Sequence, residues 1–239
     1  MSFNRREWII AGAALVLGAG GMAFAFTAGG FGGQAGVEKT VRNYIMTHPE
    51  ILPEAMAALQ SRETKKLLDT NRARIETPFG RAWAGAENGD VTLVQFFDYN
   101  CGYCRTALPD IDRLLAEDKQ LKIVYRELPI LSEASDTAAR ASLAVAQAGG
   151  DYLKFHRALY AMARSDPAEI DAAVISAGVN PGSVNTDKIA AEITTNLDLQ
   201  RQLQLSGTPS WVVGDTVLNG AVGYDALKKA ITEARAKRG

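Results

Sequence analysis

Hydrophobic positions change period several times along this chain, and each change marks an element. Val37, Val41, Tyr44 and Ile45 line one face of a helix that Pro49 ends. A second helical segment begins near Pro53, with Leu52, Ala55, Met56 and Leu59 at helical spacing; residues 60–66 are then almost wholly polar before Leu67 and Leu68 resume. Val91–Phe97 is short, apolar, β-branched and aromatic, and follows Asn88-Gly89-Asp90, which predicts a buried strand. Ala107, Leu108, Ile111, Leu114 and Leu115 return to helix period over 105–115, and residues 121–125 read as the next strand, stopped by Pro129. Strand, helix, strand predicts a parallel βαβ unit and an α/β class. From about 135 to 205 the signals are nearly all helical (138–148, 152–163 and 189–203), punctuated by Gly149-Gly150, Asp166-Pro167 and Gly178-Val179-Asn180-Pro181. A strand pair follows at 210–213 and 216–218, hinged by Gly214-Asp215. Ala226, Leu227, Ala230 and Ile231 then line a last helix.

The N-terminus adds a compartment. Arg5 and Arg6 precede an uncharged run from Trp8 to Ala28, with Ala23-Phe24-Ala25 as a small-x-small site, the layout of a signal peptide cut after Ala25. The same run is long enough to be an uncleaved membrane anchor over 8–28, with Gly29, Gly30, Gly32 and Gly33 as a tether. Both readings export the body of the protein. The expected organisation is 1–28 signal or anchor, 29–36 Gly-rich linker, 37–76 helical arm, and 77–239 main domain with its helical insertion at about 135–205. The arm either folds against its own domain or, its stripe lacking a partner there, joins copies of the chain.

Composition excludes more than it selects. With 47% hydrophobic and 22% charged residues and a formal net charge of -1, the chain is an ordinary globular protein with no bias toward nucleic acid. Its only two cysteines stand together in Cys101-Gly102-Tyr103-Cys104, directly after the buried strand. A ring that small removes little unfolded-state entropy, so the pair serves chemistry rather than stability. At a helix N-terminus, unpaired N–H groups and the dipole stabilise an anion, which makes Cys101 the attacking thiolate. Cys104, one turn further in, is then the more buried, resolving thiol. Gly102 lets the turn close without crowding and leaves backbone accessible, while Tyr103 lacks the cationic help of a histidine.

Phe96-Phe97-Asp98-Tyr99-Asn100-Cys101-Gly102-Tyr103-Cys104, a long helical insertion and Gly207-Thr208-Pro209 together resemble the DsbA-like branch of the thioredoxin superfamily. The resemblance implies a thioredoxin fold interrupted by a helical domain, with Pro209 cis and facing a redox-active Cys101-Cys104 disulfide. Thr208 would then offer backbone hydrogen bonds to an extended substrate, and Pro209 would deny Cys101 access to metal. The arm and the residues Gly102, Tyr103 and Thr208 look closer to disulfide isomerases and to the ScsC type than to the strong oxidase.

The expected function is an exported thiol:disulfide oxidoreductase of the periplasm that needs no cofactor and no metal. Its partners would be envelope proteins with thiols or disulfides and a membrane redox partner, DsbD-like for an isomerase or reductase, DsbB-like for an oxidase. A copper-binding or chaperone role is the reading from another class. A zinc site would need a second ligand pair, and His48 and His156 lack ligand spacing to the cysteines. His156 reads as a packing or surface residue. Asp98 is either a proton relay for Cys104 or a cap for the next helix. Trp211, Phe96 and Phe97 read as core, and Tyr99 as core or edge of the site.

Overall fold

The computed structural model describes residues 34–162, 166–179 and 184–237. The expectations for residues 1–28 and for the Asn180-Pro181 turn lie outside them. The chain divides into two units, Met1–Gln60 and Ser61–Gly239.

In the first unit, α1 is Gln34–Thr47, and α2, Ile51–Glu76, begins there. Helix α1 starts within the stretch read as a Gly-rich linker. Gln34 and Ala35 are good helix formers, and the Thr40 hydroxyl donates to the Gly36 carbonyl at 2.9 Å. No residue of α1 is buried. The polar stretch at 60–66 does not interrupt α2. Gln, Arg, Glu and Lys lose little rotamer freedom in a helix, so their run marks a solvated stretch and not a break. Among the described residues, no helix is long and apolar enough to cross a membrane.

The second unit is built on a five-stranded sheet of order β1-β3-β2-β4-β5: Trp83–Gly85, Val91–Phe97, Leu121–Glu127, Ser210–Val213 and Thr216–Asn219 in chain order. Strand β2 pairs parallel with β3 and antiparallel with β4, while β1 and β5 pair antiparallel at the edges. Strand β1 has three residues, too few for a period to show in the sequence. Alternation along β2 divides the core. Leu93 and Phe97 join Ile123, Tyr125 and Trp211 on one face; Val94 and Phe96 join Val124 and Val212 on the other, under Leu68 and Ile75 of α2.

The helices are α3 (Gly102–Thr106), α4 (Leu108–Glu117), α5 (Glu133–Gln147), α6 (Tyr152–Ala161), α7 (Pro167–Ser176), α8 (Thr186–Gln202) and α9 (Tyr224–Ala236). The single helix expected over 105–115 is thus two. Pro109 sits in the first turn of α4 and has no N–H to continue the ladder, so the helix restarts after Ala107. Helices α5, α6 and α8 start at Ser132, Asp151 and Asn185, whose side chains each accept a backbone N–H. Leu199 and Leu203, at the end of α8, pack with α2 on the second face.

Candidate functional site

Strand β2 ends at Phe97, and four residues later the chain turns into α3, whose N-cap is Cys101, with φ -82 and ψ 114. The turn is held from inside. Cys101 N–H donates to the Asp98 carbonyl at 3.1 Å, and Arg105 N–H to the Cys101 carbonyl at 3.2 Å. Both cysteines are free thiols, Cys101 6% exposed and Cys104 fully buried. Cys104 N–H donates to Cys101 Sγ at 3.4 Å, and Cys101 Sγ lies 3.2 Å from the Thr208 carbonyl. The Thr208–Pro209 peptide bond is cis. Residues more than a hundred positions apart in sequence therefore meet at one sulfur.

The two thiols are driven apart. A hydrogen bond from the Cys104 side chain is the main influence that lowers the Cys101 pKa to about 6; Thr208 and the N–H groups of Cys104 and Tyr103 assist, against desolvation. Burial pushes the Cys104 thiol far above its ordinary value, and its bond to Cys101 raises it further. The Thr208 hydroxyl is buried and makes no regular hydrogen bond, yet it favours the thiolate on both sulfurs.

Other residues singled out in the sequence fall differently. Tyr103 is 71% exposed beside the pair. A Cβ placed on Gly102 would touch nothing, so this glycine relieves no crowding; it leaves open backbone at the helix start. The Asp98 carboxylate is held by three backbone N–H groups: Asn100 on Oδ1 at 2.8 Å, and Ile130 and Leu131 on Oδ2 at 3.0 and 3.2 Å. These bonds tie the motif's approach to the loop after β3, and the N-cap of α3 is Cys101 and not Asp98. That loop presents the half-exposed Ile130 and the exposed Leu131, neither of which sequence reasoning singled out. Tyr99 and His156 are both buried, bonded to each other, and lie in the core. Among the described residues, no three His, Cys, Asp or Glu side chains converge as a ligand set.

A buried carboxyl on β3, Glu127, was also missed. The signal for it was present, because Leu121, Ile123, Tyr125 and Glu127 alternate onto the same inward face.

Residues 92–232 match the DSBA-like thioredoxin domain family. The chain belongs to that family. Residues 34–66 match the copper resistance protein ScsC N-terminal domain. Among solved structures, a linker-deletion mutant of Proteus mirabilis ScsC is 29% identical with a TM-score of 0.69, covering 87% of this chain and 98% of that one. A thioredoxin-like oxidoreductase from Silicibacter pomeroyi DSS-3 is 36% identical with a TM-score of 0.63, covering 70% and 98%. Among curated relatives, disulfide bond formation protein D of Bacillus subtilis is 25% identical over 168 residues, 64% of this chain and 76% of that protein. The Na(+)/H(+) antiporter NhaA 1 of Salinispora arenicola is also 25% identical over 159 residues, but the chain spans only 24% of its length.

Proposed function

We propose that the protein is an exported thiol:disulfide oxidoreductase acting on envelope proteins, with Cys101 as nucleophile and Cys104 as resolving thiol. The observation that carries this is the opposed setting of the two sulfurs: one N-capping thiol lowered to about 6, the other buried and raised. At neutral pH Cys101 is largely thiolate. Its sulfur attacks one sulfur of a substrate disulfide; a new S–S bond forms, the substrate S–S bond breaks, and the departing thiolate takes a proton. Cys104 then loses its proton and attacks Cys101 Sγ. The mixed disulfide breaks, the substrate leaves with two thiols, and the Cys101-Cys104 pair has given up two electrons. Run backwards, the same steps oxidise a substrate dithiol. Thr208 and Pro209 border the sulfur where an extended substrate segment would lie.

The direction we favour is isomerase or reductase, sustained by a DsbD-like membrane donor. Tyr103 puts no cation beside the thiolate, and a Cys101 pKa of about 6 lies closer to the reducing than to the strongly oxidising members of the superfamily. The arm supports it too. Val37, Val41, Tyr44, Met46, Leu52, Met56 and Leu59 are all exposed large apolar side chains, and we assign further copies of this chain as their partners. The match of 34–66 to the ScsC N-terminal domain supports that assignment. The alternative, a DsbA-type oxidase recharged by a DsbB-like partner, draws on the family of the domain itself. A copper-binding role draws on the name of the N-terminal family and on the affinity of paired thiolates for Cu(I).

Acid-quenched alkylation of the native envelope protein tests the direction. Mostly reduced cysteines, with rescue of a scrambled-disulfide substrate, are expected; a fully oxidised pool with no isomerase activity would establish the oxidase instead. Copper retained by the reduced protein in equilibrium dialysis, without disulfide exchange, would favour the metal reading.

A further inference from the structure

A buried row of side chains runs from the end of β3 to the segment that carries Cys101. Glu127 stands opposite Phe97 in the β2–β3 register and is 1% exposed. Its Oε1 accepts from the Ser142 hydroxyl of α5 at 2.7 Å and the Tyr152 hydroxyl of α6 at 3.1 Å; its Oε2 is buried with no partner. Ser142 Oγ lies 2.9 Å from Tyr99 Oη, and Tyr99 Oη lies 3.0 Å from His156 Nδ1. His156 Nε2 is likewise buried and unpartnered. Among the described residues no cation pairs with the carboxyl. Arg126, the next residue along β3, is bonded instead to Glu192 of α8 at 2.6 Å. Glu192 adds negative potential at Glu127, Tyr125 flanks it on its own strand, and Arg157 acts on His156.

Counting protons along this row gives it a direction. With Glu127 ionised, Ser142 spends its single proton on Oε1 and must accept from Tyr99. Tyr99 in turn must accept from His156 Nδ1–H, which leaves Nε2 a bare lone pair, in keeping with its lack of a partner. A proton added to Glu127 leaves one donor without an acceptor wherever it settles: the O–H itself on Oε2 or, when it sits on Oε1, an N–H at His156 Nε2. Placed on Oε1 it donates to Ser142, and each hydroxyl then turns toward the next group: Ser142 to Tyr99, Tyr99 to His156 Nδ1, with the imidazole proton moved to Nε2. Held on Oε1, one proton reverses the whole row.

Tyr99 lies two residues before Cys101, between neighbours that are tied down. The Asp98 carbonyl accepts from both Cys101 N–H and the Tyr160 hydroxyl, and the Asn100 amide donates to Ser135 Oγ at 3.1 Å. We propose that Glu127 is a positioning residue for the redox step: its protonation reverses the hydrogen bonds through Ser142, Tyr99 and His156, changes how the segment before Cys101 is held, and makes Cys101 reactivity depend on a proton that neither cysteine carries. The proposal rests on Cys101 being the reacting thiol. Burial, helped by Glu192, holds the Glu127 carboxyl up to about 7 against the donors Ser142 and Tyr152. Burial also holds His156 down to about 3, so the imidazole stays neutral while Glu127 titrates.

The test is the alkylation rate of Cys101 in the reduced full-length protein across about pH 5 to 9, divided by the thiolate fraction read from ultraviolet absorbance. In the wild type the normalised rate should change about threefold around pH 7, within the effect of one net hydrogen bond. It should be independent of pH in Glu127→Gln, which keeps the acceptor oxygen but cannot ionise. It should be equally flat in Ser142→Ala, which keeps the carboxyl but cuts the row. Identical profiles in the wild type and both variants would overturn the proposal. Where Glu127→Gln does not fold, the infrared carboxylic-acid band of the wild type decides alongside Ser142→Ala: loss of the band near pH 7 supports the proposal, and a carboxylate at every pH overturns it. A Cys101 that titrates like a free thiol in every variant would contradict the proposed function, separately from the Glu127 profile.

Discussion

The two faces of the sheet bury opposite charges on adjacent residues of β3, and they treat them differently. On the face covered by α2 and α8, the Arg126 guanidinium donates to the carbonyls of Arg74, Ile75 and Thr77, to Asn196 and to Glu192. It closes the C-terminal end of α2, where free carbonyls need donors, and its charge is paired. On the other face Glu127 has two hydroxyl donors on one oxygen and, among the described residues, nothing on the other and no counter-charge. A compensated buried charge fixes structure. An uncompensated one stays sensitive to pH, and this one lies on the face that carries the cysteines.

The largest effect should come from the compensated side. Arg126→Met strips donors from the end of α2 and leaves Glu192 half-buried and unpaired, for an expected loss of about 3–5 kcal/mol in urea unfolding. Disulfide exchange per folded molecule should be nearly unchanged. A loss below about 1 kcal/mol would remove the structural role assigned to Arg126.

On the other face, the pH dependence of stability carries the contrast, and the signs are opposed. A Glu127 pKa raised to about 7 means that the folded protein binds the extra proton between roughly pH 4.5 and 7. Stability from this group is therefore lost as pH rises through that window, by about 3 kcal/mol. The His156 pKa, lowered to about 3, means that the unfolded chain binds the extra proton between about pH 3 and 6.5, so stability from His156 is lost as pH falls. The two slopes cancel over most of their overlap. Relative to the wild type, Glu127→Gln should gain stability as pH rises through about 4.5 to 7. His156→Phe should gain it as pH falls below about 6.5. Parallel slopes for all three proteins in denaturant titrations would show that neither group is held as described.

The smallest effect sharpens the view of the motif itself. Gly102→Ala meets open space and no left-handed φ, so it should stabilise the reduced protein by about 0.5–1 kcal/mol through lower unfolded-state entropy. A destabilised variant by thermal unfolding would show that Gly102 has a packing role after all.

Much of the fold was legible in the sequence, whereas neither Arg126 nor Glu127 was singled out there, and what was not read has a common cause. Period and punctuation located β2 to β5 and the helices, because each depends on neighbours a few residues away. They missed β1, which is shorter than two repeats of its own period, and they joined α3 and α4 into one helix across Pro109. The pair Cys101 and Cys104 stood out by spacing, whereas Glu127 was missed because the strand read from the sequence stopped at 125. What could not be read was the company each residue keeps. Ser142, Tyr152 and His156 reach Glu127 and Tyr99 from two separate helices, and Asp98 finds its amide donors in the loop after β3. The choice between relay and helix cap for Asp98 therefore rested on contacts that local sequence does not encode.

The central claim is that Cys101 attacks and Cys104 resolves. Incubating Cys104→Ala with a peptide disulfide and mapping the adduct by mass spectrometry tests it most directly. The account predicts a stable mixed disulfide on Cys101 that forms progressively faster as pH rises through about 6, and no adduct on Cys104 in Cys101→Ala. An adduct on Cys104 at a comparable rate, or none on Cys101, would contradict it.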